Sequence, residues 1–239
     1  MEHLPDLNSL FQSAGIDDPR MQSLMIKYSD EIFNENKKFN LTGHKTLLNI
    51  IENLFIKSLI PVKGLDVPRG TLFADMGTGA GIPGIPLAIK HPEAKAILFD
   101  SNHKKIDFIN KTSNRLGISN ASAIAGRIEE LCRENDHAHK YRGSFDMVFT
   151  RAMSDIFTIT ELGAPLLKVN GLLFLYSGDK GELGNFMAEH INNLGLSMEK
   201  LPAIEAGSGI ITFRKIKETD VKYPRRISVI KRMAAKINV

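Results

Sequence analysis

Asp75, Gly77, Gly79 and Gly81 alternate with other small or apolar residues in the run Asp75-Met76-Gly77-Thr78-Gly79-Ala80-Gly81. Glycine serves two ends in such a run. It accepts positive φ, and its missing Cβ lets a ligand lie against the main chain. Thr71-Leu72-Phe73-Ala74 before it reads as a short buried strand, and the Ile82-Pro83-Gly84-Ile85 stretch after it can open a helix. Strand, glycine turn and helix together make a nucleotide-binding crossover; the alternative is an ordinary glycine-rich turn of an α/β domain. A dinucleotide fingerprint, G-x-G-x-x-G, would put its third glycine at position 82, where the chain has Ile82. Asp100 follows the turn by about 20 residues, the spacing at which an acid at the end of a second strand accepts hydrogen bonds from ribose hydroxyls. A carboxylate suits that task because it only accepts and can hold two hydroxyls. Asp100 could instead cap the helix that follows, as could Ser101.

The pattern acid-x-Gly-x-Gly-x-Gly resembles motif I of the Rossmann-like S-adenosylmethionine (AdoMet) methyltransferases. Their ligand carries a nucleoside and a methionine tail but no pyrophosphate. In that fold the loop Gly126-Arg127-Ile128-Glu129-Glu130 would meet the adenine, with Ile128 over its face. Read alone, the same loop is the start of an amphipathic helix. Arg151 ends the run Phe145-Asp146-Met147-Val148-Phe149-Thr150. Its guanidinium could hold a carboxylate or a phosphate through a bidentate pair, or form a surface salt bridge. The Asn/Asp-Pro-Pro-aromatic motif that goes with exocyclic-amine methylation is absent from Thr150-Arg151-Ala152-Met153. Pyrimidine C5 methylation needs a cysteine nucleophile, and the one cysteine, Cys132, lies in a helical stretch that suits packing. Guanine N7 needs neither device, because its lone pair is already nucleophilic. Alignment and electrostatics would then suffice, and no catalytic base is assigned. His137 and His139, two apart in a polar loop, lack a third metal ligand, so no metal is expected.

These residues need a frame to position them. Apolar or β-rich runs at 71–76, 95–100, 145–150, 171–176 and 209–214, with a weaker one at 121–125, alternate with helical patterns near 84–90, 103–116, 127–133, 155–168 and 181–194. Such alternation predicts an α/β fold with a mostly parallel, doubly wound sheet. Ligands of such sheets bind beyond the carboxyl ends of the strands. Upstream, Asp18-Pro19 reads as N-cap and first residue of a helix ending near Asn40, and a second helix runs from about Thr46 to Ile60, stopped by Pro61. The chain of 239 residues is 43% hydrophobic and 24% charged, ordinary for a globular protein. No apolar run approaches a membrane span, and no secretory signal is visible, so a cytoplasmic location is expected. The net charge of +4 is uneven. Nine basic residues stand between Arg214 and Lys236, opposed by Glu218 and Asp220. A basic tail on a slightly acidic body suggests a polyanion partner, or a charged tail that only aids solubility.

Lys38-Phe39-Asn40-Leu41-Thr42, the Asp75-to-Pro86 glycine run, Phe99-Asp100-Ser101, Gly126-Arg127-Ile128-Glu129-Glu130, the strand ending Thr150-Arg151-Ala152 and Lys222-Tyr223-Pro224-Arg225 follow one another in the order seen in the RsmG family, also called glucose-inhibited division protein B. The resemblance covers about residues 20–226. It implies a class I AdoMet methyltransferase fold with an N-terminal helical extension, and methylation of guanine N7 in the 530 loop of 16S ribosomal RNA. It implies cofactor contacts at Gly77, Ile82, Ile128, Glu129 and Arg151, with Asp100 matching the family's acid. Asp75, Gly79 and Gly81 join the expected cofactor set as parts of the same turn. The implied partner is 16S ribosomal RNA or the small ribosomal subunit, with no membrane. The expected division is 1–62 helical extension, 63–216 AdoMet-binding domain and 217–239 basic tail, with Lys180 and Arg151 helping to hold RNA. The chain departs from the family where a His and an Asp are missing from Glu52-Asn53-Leu54-Phe55-Ile56-Lys57-Ser58. It departs again in the late Lys-Gly element, and in a tail that reads Arg226-Ile227-Ser228-Val229-Ile230. A methyltransferase acting on another RNA or a small molecule, and a non-catalytic ribosome-binding protein with an AdoMet pocket, stay open as alternatives.

Overall fold

The computed structural model describes residues 6–132, 141–176, 185–204 and 208–235. His137, His139, Lys180 and Lys236 lie outside these residues. So do most of the polar loop around the two histidines and the late Lys-Gly element.

The strands are β1 (Leu72–Met76), β2 (Lys95–Asp100), β3 (Ala121–Ala125), β4 (Phe145–Arg151), β5 (Leu167–Tyr176), β6 (Leu196–Met198) and β7 (Ile210–Lys215). They form one seven-stranded sheet in the order β3-β2-β1-β4-β5-β7-β6. β1 to β5 pair in parallel, whereas β7 runs antiparallel to both β5 and β6. β1 and β4 are buried almost throughout, as expected for parallel strands covered on both faces. The strand order reverses between β1 and β4, so a crevice opens beyond their carboxyl ends. β6 is the strand that the sequence does not announce. It is three residues long and has only Leu196 buried, too short for an alternation to show.

Crossover helices α5 (Gly84–Lys90) and α6 (His103–Leu116) match the expected spans. α6 is capped by Asn102 and closed by Gly117 in the left-handed region at φ +73°. α7 (Ile128–Leu131) is shorter than expected. α8 (Ile156–Gly163) is capped by Asp155 and gives way to a 3-10 turn at Ala164–Leu166, where Pro165 interrupts the α-helical ladder. α9 (Asn185–Asn193) precedes β6.

Upstream of the sheet lie α1 (Leu7–Ser13) and α2 (Pro19–Glu35), the latter capped by Asp18 with Pro19 in its first turn. α2 buries Met25, Tyr28 and Ile32 in the core that also holds Phe55, Leu98 and Phe108. It ends at Glu35, five residues short of Asn40. The reason is local: the Asn36 side chain accepts from Leu41 N and Thr42 N and donates to His44 O, folding the chain back. The second upstream helix is not uniform. α3 (Leu47–Ile50) widens into a π-helix at Ile51–Ile56, then becomes α4 (Lys57–Leu59) and a 3-10 turn at Ile60–Val62 containing Pro61.

The C-terminal segment is packed rather than free. Arg142 donates to the carbonyls of Thr219, Asp220 and Tyr223. The buried Lys215 ammonium donates to Ala164 O, Leu194 O and Thr219 Oγ1. Beyond it α10 (Ile227–Ala234) buries Ile230 and Ala234.

Candidate active site

The glycine turn is held from every side. Gly77 N and Thr78 N donate to Phe99 O at the end of β2. Gly79 N donates to Asp100 Oδ2 at 3.0 Å, and Gly81 N and Ile82 N donate to Thr78 O. Beneath the turn, the fully buried Asp75 carboxylate accepts from Thr78 Oγ1 and from Gly84 N at 2.8 Å. Tyr28 of α2 donates its hydroxyl to Ala80 O. These amides are spent inside the protein, so they do not form the open nest that a pyrophosphate needs. Gly77, Gly79 and Gly81 all have positive φ, at +69°, +59° and +92°. The chain therefore needs glycine here for conformation as well as for space.

The three glycines face different neighbours. A Cβ on Gly77 would stand 2.9 Å from Met153 Cγ, one on Gly81 would stand 2.7 Å from Tyr28 Oη, and one on Gly79 would meet nothing within 4 Å. Gly77 alone of the three lines a cavity of about 400 Å³, within the usual size of a small-molecule site. The ends of four strands build that cavity. Gly77 follows β1; Phe99 and Asp100 end β2 and Ser101 follows it; Gly126, Arg127, Ile128 and Glu129 follow β3; Met153 and Ser154 follow β4. Thr158 and Leu162 of α8 and Ile227 and Lys231 of α10 complete it.

Asp100 does not cap α6, because Asn102 fills that role. Its carboxylate is fixed by two backbone donors, Gly79 N on Oδ2 and Asn102 N at 2.9 Å on Oδ1. Each oxygen keeps a second lone pair for a hydroxyl. Ile128 and Glu129 are buried residues on α7, with Arg127 Nη1 4.0 Å from Glu129 Oε1. Burial pushes the Asp75 carboxyl up to about 7, against the pull of its Thr78 and Gly84 bonds. Asp75 lies beneath the turn and Ile82 is buried behind it; neither lines the cavity.

Arg151 points elsewhere. Its guanidinium donates to Asn53 O at 2.6 Å and Leu54 O at 3.2 Å, both within the π-helix, and burial lowers its pKa. Tyr176, at the end of neighbouring β5, donates to Ser58 O at 2.6 Å. The side chains that end β4 and β5 thus fasten the upstream helices to the sheet. Cys132 is buried, and burial pushes its thiol up to about 12, which leaves no nucleophilic thiolate. Among the described residues no group of acidic, histidine and cysteine side chains is placed to hold a metal.

Sequence reasoning missed Met153, Thr158, Leu162, Ile227 and Lys231. Met153 and Thr158 carried a signal in their place just after the fourth strand. Ile227 and Lys231 carried only an i, i+4 spacing, which says nothing about what a helix will face.

Residues 21–201 match the GidB family, described as rRNA small subunit methyltransferase G. Among curated relatives, a "Ribosomal RNA small subunit methyltransferase G" of Mycoplasmoides gallisepticum is 37% identical over 86% of this chain and 86% of that one. One of Lachnoclostridium phytofermentans is 36% identical over 83% of each. One of Clostridium kluyveri is 30% identical over 96% of this chain and 98% of that one. A solved structure of the antibiotic-resistance methyltransferase Kmr overlays on 62% of this chain and 87% of its own, with TM-score 0.48 and 14% identity. The seven-stranded sheet, parallel from β1 to β5 with helices in the crossovers, is the mostly parallel, doubly wound α/β sheet expected. With the family matched across most of its length, the chain belongs to the rRNA small subunit methyltransferase G family.

Proposed function

We propose that this chain transfers a methyl group from AdoMet to N7 of a guanine in the 530 loop of 16S ribosomal RNA. The observation that carries the reading is the cavity at the switch point of the sheet, where Gly77, Asp100, Ile128 and Glu129 converge. The site fits the nucleoside of AdoMet. Gly77 leaves room for a ligand against the main chain, Asp100 has one lone pair per oxygen to spare, and Ile128 offers an apolar face. When bound, AdoMet supplies an electrophilic methyl on a sulfonium.

The chain's own contribution is to position and shield. With Gly77, Asp100, Ile128 and Glu129 holding its nucleoside, AdoMet would supply the methyl that the guanine N7 lone pair takes up, and S-adenosylhomocysteine would be the leaving group. No proton must leave before transfer, so no base is required, in keeping with a site that holds no thiolate and no amine-methylation motif. Alignment supplies most of the rate, and the nearby Asp100 and Glu129 carboxylates suit a site whose ligand is cationic.

The remaining assignments extend this reading. Asp75, Gly79, Gly81 and Ile82 shape the turn under the cofactor, whereas Arg151 acts through the upstream helices it holds. Residues 1–62 serve as an extension on the catalytic domain 63–216, and 217–239 as its basic closing segment. No helix among the described residues is long and apolar enough to cross a membrane, which suits a protein that meets ribosomal RNA in the cytoplasm. The test is mapping of 7-methylguanine in 16S RNA from cells with and without this protein, with labelled AdoMet in vitro. Methylation is expected at one guanine of the 530 loop; its presence in both strains would sink the proposal.

A further inference from the structure

Ile227 and Lys231, one turn apart on α10, line the same cavity as Gly77, Asp100 and Ile128. They sit on the edge of the helix next to the one that buries Ile230 and Ala234. α10 packs on α8, which itself sends Thr158 and Leu162 into the cavity. An eight-residue helix is not stable alone, so its place depends on what holds it. The fully buried Glu161 carboxylate of α8 accepts from the Arg225 backbone at 2.9 Å and from its guanidinium at 2.8 Å through Nε, with a second contact through Nη2. Arg142 secures the preceding turn through the carbonyls of Thr219, Asp220 and Tyr223. Two clamps thus aim a half-buried isoleucine and a lysine stem at the cavity.

Resting on the reading of this cavity as the AdoMet site, we propose that α10 is a wall of the cofactor pocket. Ile227 packs on the nucleoside. The Lys231 stem extends the apolar surface and keeps its ammonium at the rim, as long cationic side chains do. The C-terminal segment then sets cofactor affinity, besides any contact its charges make with RNA.

Calorimetry on the full chain with S-adenosylhomocysteine and 5′-methylthioadenosine tests this. Ile227→Ala should weaken both ligands by about five- to tenfold, the worth of a few buried methylenes. Lys231→Ala should weaken them by about two- to threefold. Both ligands should suffer alike, because the wall meets the part they share. Variant affinities equal to wild type would overturn the wall and leave the cofactor reading standing. Failure of the wild type to bind S-adenosylhomocysteine would overturn both. A drop in RNA affinity with unchanged cofactor affinity would give α10 to the RNA and also overturn the wall. If Ile227→Ala melts early, the exposed Lys231→Ala decides alone, and unchanged affinity there is the overturning result.

Discussion

The glycines of one turn do unlike work. Gly77 faces the cavity and Met153, whereas Gly81 is approached by Tyr28 from α2. Gly77 lines the cavity, so Gly77→Ala should cut S-adenosylhomocysteine affinity about tenfold on top of the strain that positive φ imposes at both sites. Gly81→Ala should cost about 2–3 kcal/mol of stability, from strain at positive φ and from overpacking. Calorimetry beside denaturant unfolding separates the two; equal effects on binding and stability at both sites would refute the division. Asp75 carries a pH signature. Its carboxyl titrates near 4 when unfolded and is pushed up to about 7 in the fold by burial. The native state therefore binds an extra proton between those values. The stabilising contribution is full below about pH 4 and is lost as the pH rises to about 7. Asp75→Asn should remove this slope while keeping acceptors for Thr78 and Gly84, whereas Asp75→Ala should cost about 1–3 kcal/mol. Unfolding midpoints between about pH 4.5 and pH 6.5 check it; an unchanged slope in the Asn variant would contradict the assignment. The residues of the turn were legible because each one is forced by local backbone geometry. The separate neighbours of Gly77 and Gly81 were not, because they come from Met153 and Tyr28, far away in sequence.

Among the elements, the π-helix at Ile51–Ile56 is the irregular part of the second upstream helix. Arg151 binds carbonyls of this stretch, and Tyr176 binds one of α4 just after it. π-turns in helices often mark functional positions, and here the carbonyls of Asn53 and Leu54 meet one guanidinium fork. A lysine cannot reproduce that fork. Arg151→Lys should lower stability by about 2–3 kcal/mol and raise amide hydrogen exchange across residues 47–62 more than in β1–β5. Uniform exchange across the chain would reject the clamp. α6 was legible to the residue because the Asn102 cap and Gly117 bound it; α5 was legible from the glycine turn before it and its apolar run, without a side-chain cap. The end of α2 was misjudged because the Asn36 side chain competes for the backbone, and such competition leaves little trace in periodicity. α10 escapes the sequence because it is only eight residues long and has no side-chain cap, although Ile227, Val229, Ile230, Met233 and Ala234 make most of it apolar.

For the whole molecule, charge matters less as a sum than by where it sits. Of the basic residues from Arg214 onward, Arg214 pairs with Glu199, Lys222 with Asp220 and Arg225 with Glu161, and Lys215 is buried. Lys217, Arg226, Lys231 and Arg232 stay exposed. If RNA is held here, Arg226→Gln with Arg232→Gln should lower the slope of log affinity against log salt by about 1–2, at roughly 0.7–0.9 for each phosphate no longer neutralised. Filter binding to 16S RNA fragments across a salt series measures it, and an unchanged slope would move the RNA-binding face elsewhere. By itself the sequence determined the strand-turn-helix unit, the doubly wound order of elements, the acid at the end of β2 and the family, since these depend on local spacing and backbone geometry. Only the tertiary structure decided that Arg151 bonds to the upstream helices, that Asp75 braces the turn from below, and that α10 returns to the cavity beyond the carboxyl ends of the strands. Those outcomes rest on hydrogen bonds and burial between segments distant in sequence, where local pattern carries no information about the partner.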